Sequence, residues 1–97
     1  MDLRFTPESL NDLERLRQFL IEAGAPYAKR LANDIVQGLQ NLRLFPRMGL
    51  RVQQAPDPDV IRDLYIDKYC VRYLITVEII YILRVWHGRE DERNKTP

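Results

Sequence analysis

Apolar and polar positions over the first quarter of the chain predict a short strand followed by a helix. Leu3 and Phe5 alternate with charged neighbours, as in a strand with one buried face. Thr6 can cap a helix with its hydroxyl, and Pro7 suits the first helical position. An apolar stripe then follows at helical spacing, at Leu10, Leu13, Leu16, Phe19, Leu20 and Ala23. We expect this amphipathic helix to end at Gly24.

A second amphipathic helix follows directly. Pro26 opens it, and the Phe45-Pro46 pair ends it, because a residue before proline disfavours helical geometry. Its apolar stripe consists of Ala28, Leu31, Ala32, Ile35, Leu39 and Leu42. Two such helices joined by about two or three residues predict an antiparallel hairpin.

The remainder of the chain predicts a loop and then a sheet. Residues 46–59 contain prolines and Gly49, which indicates a connector without regular structure. Residues 60–66, 69–76 and 79–87 are rich in Val, Ile and Tyr, so we expect three strands joined by short antiparallel turns. The fold class is therefore α+β, a strand and helical hairpin packed on a twisted, mainly antiparallel sheet. We expect one domain over residues 1–90 and a charged C-terminal tail over residues 91–97.

The register of the last hairpin decides which polar side chains share a face of the sheet. A two-residue turn at Val77 and Glu78 places Arg72 opposite Leu83 and on the same face as His87. A three-residue turn places Arg72 beside Arg84 and sends His87 to the other face. We favour the two-residue turn, because it gives the helices one continuous apolar surface. That surface holds Tyr69, Val71, Tyr73, Ile75, Ile80 and Ile82. In this register Arg84 joins that surface and must lie at its edge or find a carboxylate partner.

Composition and charge exclude several classes of protein. The net charge is +1, so the whole chain has no basic excess typical of nucleic-acid binders. No apolar run approaches the roughly 20 residues of a membrane-spanning helix, and no secretory signal is visible. The single Cys70 cannot form an internal disulfide, and no Cys/His cluster suggests a metal site. We therefore expect a cytoplasmic protein without a metal, a cofactor or a membrane partner.

Basic side chains on the predicted sheet are the candidate chemistry. Arginine can hold a phosphate or a developing anion, and histidine can transfer protons near neutral pH. The residues concerned are Arg62, Lys68, Arg72, Arg84 and His87. Each also has an ordinary structural explanation, as a salt-bridge partner or a solvated surface group. The residues alone predict a small α+β domain with a basic site.

Three segments stand out beside the element order. These are Leu-Arg-Leu-Phe-Pro-Arg-Met-Gly at residues 42–49, Val-Arg-Tyr-Leu-Ile at 71–75, and Ile-Leu-Arg-Val-Trp-His-Gly-Arg-Glu-Asp at 82–91. With these segments in this order, the chain resembles over nearly its full length the RelE/ParE superfamily of toxins from bacterial type II toxin–antitoxin systems. The fold of that superfamily is the one predicted above. The resemblance implies a growth-inhibiting toxin that a cognate antitoxin neutralises in a hetero-oligomer.

Two mechanisms occur in this superfamily. RelE-like and YoeB-like members cut mRNA on the ribosome, which would make Arg72 the phosphate ligand and His87 the acid–base residue. ParE-like members poison DNA gyrase without a recognised catalytic set. Residues 51–54 lack the glutamate of a YoeB-like site, and the run from Val85 resembles the end of ParE-like chains. We therefore favour gyrase poisoning, with mRNA cleavage and a non-toxic interaction module of the same fold as alternatives.

The resemblance also assigns surfaces to partners. An antitoxin is expected on the helical hairpin, near Leu13, Phe19, Leu31 and Ile35, and along an exposed strand edge. The target, either gyrase or the ribosome with its mRNA, is expected to meet the basic residues Arg62, Lys68, Arg84 and Arg89.

Overall fold

A computed structural model describes residues 1–88 as two helices and a single sheet. In chain order the elements are β1 (Asp2–Phe5), α1 (Pro7–Ala23), α2 (Ala25–Leu44), β2 (Leu50–Arg51), β3 (Ile61–Ile66), β4 (Tyr69–Ile75) and β5 (Ile79–His87). The predicted α+β class and element order are confirmed. The expected tail at residues 91–97, with Arg89 before it, lies outside the described residues.

The helix boundaries follow the predicted capping signals. The Thr6 hydroxyl accepts a hydrogen bond from the Ser9 N–H at 3.1 Å, and Pro7 is the first residue of α1. Gly24 alone joins the two helices, with a φ of 102° that side-chain-bearing residues rarely adopt. The connection is therefore shorter than predicted. Neither of the two helices within residues 1–88 is long and apolar enough to cross a membrane.

Within residues 1–88 the sheet contains five strands in the order β1-β5-β4-β3-β2. Among these strands, only β1 runs parallel to its neighbour, pairing with β5 from Asp2↔Ile79 to Phe5↔Ile82. The prediction of an unstructured connector was wrong at one point, because β2 within it pairs antiparallel with β3. This strand has two residues, which is too short to leave an alternating pattern.

The β4–β5 hairpin combines features of both predicted registers. Ile75 pairs with Ile80, and the Thr76 N–H donates to the Ile79 carbonyl, so the two-residue turn at Val77 and Glu78 is confirmed. A β-bulge then leaves Leu83 without a partner. Beyond the bulge the register moves by one residue, and Arg72 pairs with Arg84 rather than Leu83.

The core lies between the helices and one face of the sheet. Leu16 of α1 and Leu31 and Ile35 of α2 pack in one cluster with strand residues. The strand residues in this cluster are Leu64, Ile66, Tyr69, Val71, Tyr73, Ile80, Ile82 and Val85. Ile75 packs against the same cluster, so the predicted apolar surface is confirmed. Arg72 lies on the other face of β4, since side chains alternate along a strand.

Candidate functional site

The Arg72 side chain is engaged inside the sheet. Its guanidinium donates two hydrogen bonds to the Asp63 carboxylate, at 2.8 and 2.9 Å, and its charged carbon lies 5.1 Å from the ring centre of Trp86. The residue is 2% exposed. A planar two-point ion pair of this kind uses the guanidinium edge that would otherwise hold a phosphate.

His87 lies on the opposite face of the sheet from Arg72. It pairs with Tyr69 across the hairpin, and the two rings meet edge to face at 5.2 Å. The prediction that Arg72, Lys68 and His87 share one face was wrong. The bulge at Leu83 reverses the faces beyond it, and Lys68 lies exposed in the turn that precedes β4.

Arg84 binds a carboxylate of α1, although the favoured register itself does not extend to Arg84. Its guanidinium donates two hydrogen bonds to the Asp12 carboxylate, at 2.8 and 3.0 Å. The same carboxylate accepts the Val85 N–H at 2.9 Å. Burial alone would raise the pKa of Asp12, but these hydrogen bonds and the charge of Arg84 hold that pKa below its usual value.

Asp12 is absent from the residues predicted for the site, although the sequence contains a signal for it. Asp12 stands three residues after Ser9 and four before Leu16, positions that lie on one side of a helix. All three residues are buried in α1. A carboxylate on the buried side of a helix requires a cation, and the nearest strand supplies Arg84.

Three arginines surround Asp59 at the opposite edge of the sheet. Arg47, Arg51 and Arg62 approach its carboxylate to 2.7, 3.5 and 3.1 Å. The hydrogen bond from Arg47 is the main reason why the pKa of Asp59 is lowered. Arg62 is buried and donates further hydrogen bonds to the carbonyls of Arg47, Gly49 and Asp59, so it holds the connector in place.

The basic residues predicted for a target therefore separate into distinct locations. Arg62 and Arg84 are engaged within the chain, Lys68 is exposed, and Arg89 lies outside the described residues. The exposed arginines beside Arg62 are Arg47 and Arg51, which the sequence pattern did not single out. Their grouping depends on the pairing of β2 with β3.

The side chains predicted to contact an antitoxin also divide into buried residues and residues nearer the surface. Leu31 and Ile35 are core residues, 1% and 8% exposed, because the apolar stripe of α2 faces the sheet. Neither is available at the surface, so they are corrected to structural residues. Leu13 packs partly buried against the core, and Phe19 is 47% exposed.

A cavity of about 210 Å³ lies between α1 and the paired ends of β4 and β5. Its walls are formed by Asp12, Arg15, Leu16, Phe19, Tyr69, Val85, Trp86 and His87.

On the other side of the sheet, Cys70 is fully buried, and burial is the main cause that raises its pKa to about 12. Such a thiol is unreactive at neutral pH. Within residues 1–88 no three His, Cys, Asp or Glu side chains come together as metal ligands.

Comparisons with known proteins find a matching family and a matching fold. The family described as ParE toxin of the type II toxin–antitoxin system parDE matches residues 3–92. No curated protein sequence matches the chain at a significant level. Among solved structures, a chain from "Chromosomal ParDE TA system from P. aeruginosa" superposes with a TM-score of 0.68 at 21% identity. The superposition covers 90% of this chain and 95% of that one, and at this identity the likeness concerns the fold. Because the family match spans nearly the whole sequence, the chain belongs to the ParE toxin family of type II toxin–antitoxin systems.

Proposed function

We propose that this chain is a growth-inhibiting toxin that acts as a poison of DNA gyrase and is neutralised by a cognate antitoxin. Membership of the ParE toxin family supports the toxin–antitoxin part of this proposal. The choice of gyrase over mRNA rests mainly on one observation, the buried ion pair between Arg72 and Asp63.

That ion pair argues against a ribosome-dependent nuclease. Such an enzyme needs an arginine free to hold the scissile phosphate and an acid–base residue within reach of the same bond. Arg72 is 2% exposed and bound at two points by a carboxylate, and His87 lies on the other face of the sheet. Phosphate binding by Arg72 would leave the Asp63 carboxylate buried without its cation, which is costly.

Two assays separate the mechanisms. In cells arrested by this toxin, we expect primer extension to find the mRNA intact. With purified toxin, we expect inhibition of supercoiling by gyrase and accumulation of cleaved DNA on the enzyme. Cleaved mRNA with normal supercoiling would contradict the proposal. Growth unaffected by overexpression would favour a non-toxic interaction module instead.

The antitoxin contact is proposed on the helical hairpin, around the exposed Phe19 and the partly buried Leu13 of α1. A mostly disordered antitoxin segment can gain affinity there by burying exposed apolar surface. Co-expression of the neighbouring small reading frame should restore growth, and the two proteins should purify together as a hetero-oligomer. Lys68 and Arg89 remain proposed contacts for the target.

A further inference from the structure

The strand β1 forms one outer edge of the sheet, and within residues 1–88 no strand lies on its far side. The N–H groups of Asp2 and Thr6 donate to carbonyl groups on the β5 side. Backbone groups alternate between the two sides of a strand, so Leu3 and Phe5 direct their N–H and C=O groups outward. Such an edge can accept a further strand through main-chain hydrogen bonds.

An open groove lies beside β1. It has a volume of about 320 Å³ and is lined by Asp2, Leu3, Arg4, Gln40 and Arg43. Arg43 of α2 also donates to the Met1 carbonyl at 3.0 Å, so the start of the edge already has a partner. The opposite edge strand, β2, has two residues, and extreme shortness is a common protection of sheet edges. The strand β1 therefore offers the longer edge for pairing.

The charges on β1 select a second copy of the same strand as the occupant of this edge. Asp2 and Arg4 are exposed, lie on the same face of the sheet, and form no ion pair within the described residues. In an antiparallel pair of β1 strands centred on Leu3, Asp2 of each copy stands opposite Arg4 of the other. A pair centred on Arg4 instead places the two arginines opposite each other, which is destabilising. The strand is thus complementary to itself in one register.

We propose that this chain forms a two-fold symmetric dimer by antiparallel pairing of β1 with β1 of a second copy. The two Leu3 residues exchange their backbone hydrogen bonds, and an ion pair between Asp2 and Arg4 forms on each side of them. The five strands of each copy then belong to one continuous sheet. A four-residue strand buries little area, so the dimer is weak and depends on concentration. This inference goes beyond the proposed function, because the pairing requires neither gyrase nor antitoxin.

Analytical ultracentrifugation of the purified full chain over a range of concentrations tests the dimer. We expect a reversible equilibrium between monomer and dimer. Arg4→Asp should weaken the dimer by about tenfold or more, because two attractive cross-strand pairs become repulsive. Lys29→Asp is the control, since it makes the same change of charge at an exposed residue outside β1 and the groove. A chain that stays monomeric, or an Arg4→Asp dimer as tight as the native one, would overturn the proposal.

A mixture of two charge variants provides the sharper test. Asp2→Arg carries two positive charges on β1 and Arg4→Asp carries two negative ones, so each variant alone should be monomeric. The mixture should form a heterodimer about as tight as the native dimer, since opposite charges again face each other at both positions. Loss of folding in either variant cannot produce this rescue. Two variants that each lose the dimer, stay folded by circular dichroism and fail to associate would contradict the assigned register.

Hydrogen exchange identifies what occupies the edge. Protection of the Leu3 amide should rise with protein concentration, because this group is bonded only in the dimer. The Arg4 amide faces β5, so its exchange should not change with concentration. Protection of Leu3 that arises only after antitoxin is added would overturn the second copy as occupant and make the antitoxin the partner of this edge.

Discussion

Asp12 joins three parts of the molecule through one carboxylate. It belongs to α1, it binds the Arg84 side chain, and it accepts the Val85 N–H at the point where β1 no longer covers the edge of β5. The Thr6 hydroxyl also pairs with a backbone group of β5, because it donates a hydrogen bond to the Leu83 carbonyl at 2.9 Å. Side chains of the first helix thus satisfy backbone groups that a longer β1 would otherwise pair with.

Asp12→Asn should destabilise the protein more than any exposed charge substitution. The change leaves the Arg84 guanidinium in a largely buried position without its anion, at a cost of about 3 kcal/mol. Urea unfolding measures the free energy. Glu14→Gln is the control, since it removes an exposed pair with Arg17 and should cause no measurable loss. Equal effects of the two substitutions would contradict the role assigned to Asp12.

The stabilisation from Asp12 should depend on pH. Its pKa in the folded protein lies below the ordinary value of 3.8, so the folded state favours the carboxylate more than the unfolded state does. The stabilisation is therefore complete above that ordinary value and is lost as the pH falls through the lower folded pKa. The difference in unfolding free energy between the native chain and Asp12→Asn should be constant near neutrality and shrink below pH 3.8. A difference that grows on acidification would exclude this explanation.

At the scale of elements, a tyrosine of β4 fixes the connector that carries β2. The Tyr73 hydroxyl donates to the Pro46 carbonyl at 2.7 Å and accepts the Gly49 N–H at 3.0 Å. A Cβ atom at Gly49 would lie 2.6 Å from that hydroxyl and 2.8 Å from the Asp63 carbonyl oxygen. Glycine is required there because two strands and the connector meet too closely for any side chain.

Tyr73→Phe should loosen the connector while keeping the core. The change removes one hydroxyl that satisfies two backbone groups, at a cost of roughly 1 to 3 kcal/mol. Hydrogen exchange of the Gly49 amide should accelerate far more than that of β4 amides. Gly49→Ala should give the same local pattern through a steric clash. Unchanged exchange at residue 49 in Tyr73→Phe would show that other contacts hold the connector.

The elements with local causes were predictable from the sequence, and those with distant causes were not. Thr6, Pro7 and Gly24 determine the helix ends through neighbouring residues, and the turn at Val77 and Glu78 followed from the alternation of apolar residues in the strands on either side of it. The bulge at Leu83 has no local signature such as glycine. It also decides the faces of Arg72 and His87, so the predicted site failed at a point where tertiary pairing overrides alternation.

At the scale of the whole molecule, the proposed gyrase poisoning implies that the ion pair of Arg72 and Asp63 serves folding rather than catalysis. Arg72→Gln should lower the unfolding free energy by about 3 kcal/mol. Gyrase inhibition per folded molecule should nevertheless stay unchanged. Circular dichroism gives the folded fraction for this normalisation, and Asp63→Asn provides the second variant from the same pair. A folded Arg72→Gln protein that no longer inhibits growth would contradict this view.

The parallel pairing of β1 with β5 determines when a newly made chain can complete its fold. The first strand must wait for the last one, because Asp2 to Phe5 pair only with residues 79–82. A chain still growing on the ribosome lacks the strand that joins β1 to β4, so its sheet remains incomplete. Such distant pairing is also slow to form after release. Products of this gene that end before residue 79 thus cannot form the complete sheet, and a full-length chain passes through an interval after synthesis in which its first strand has no partner yet.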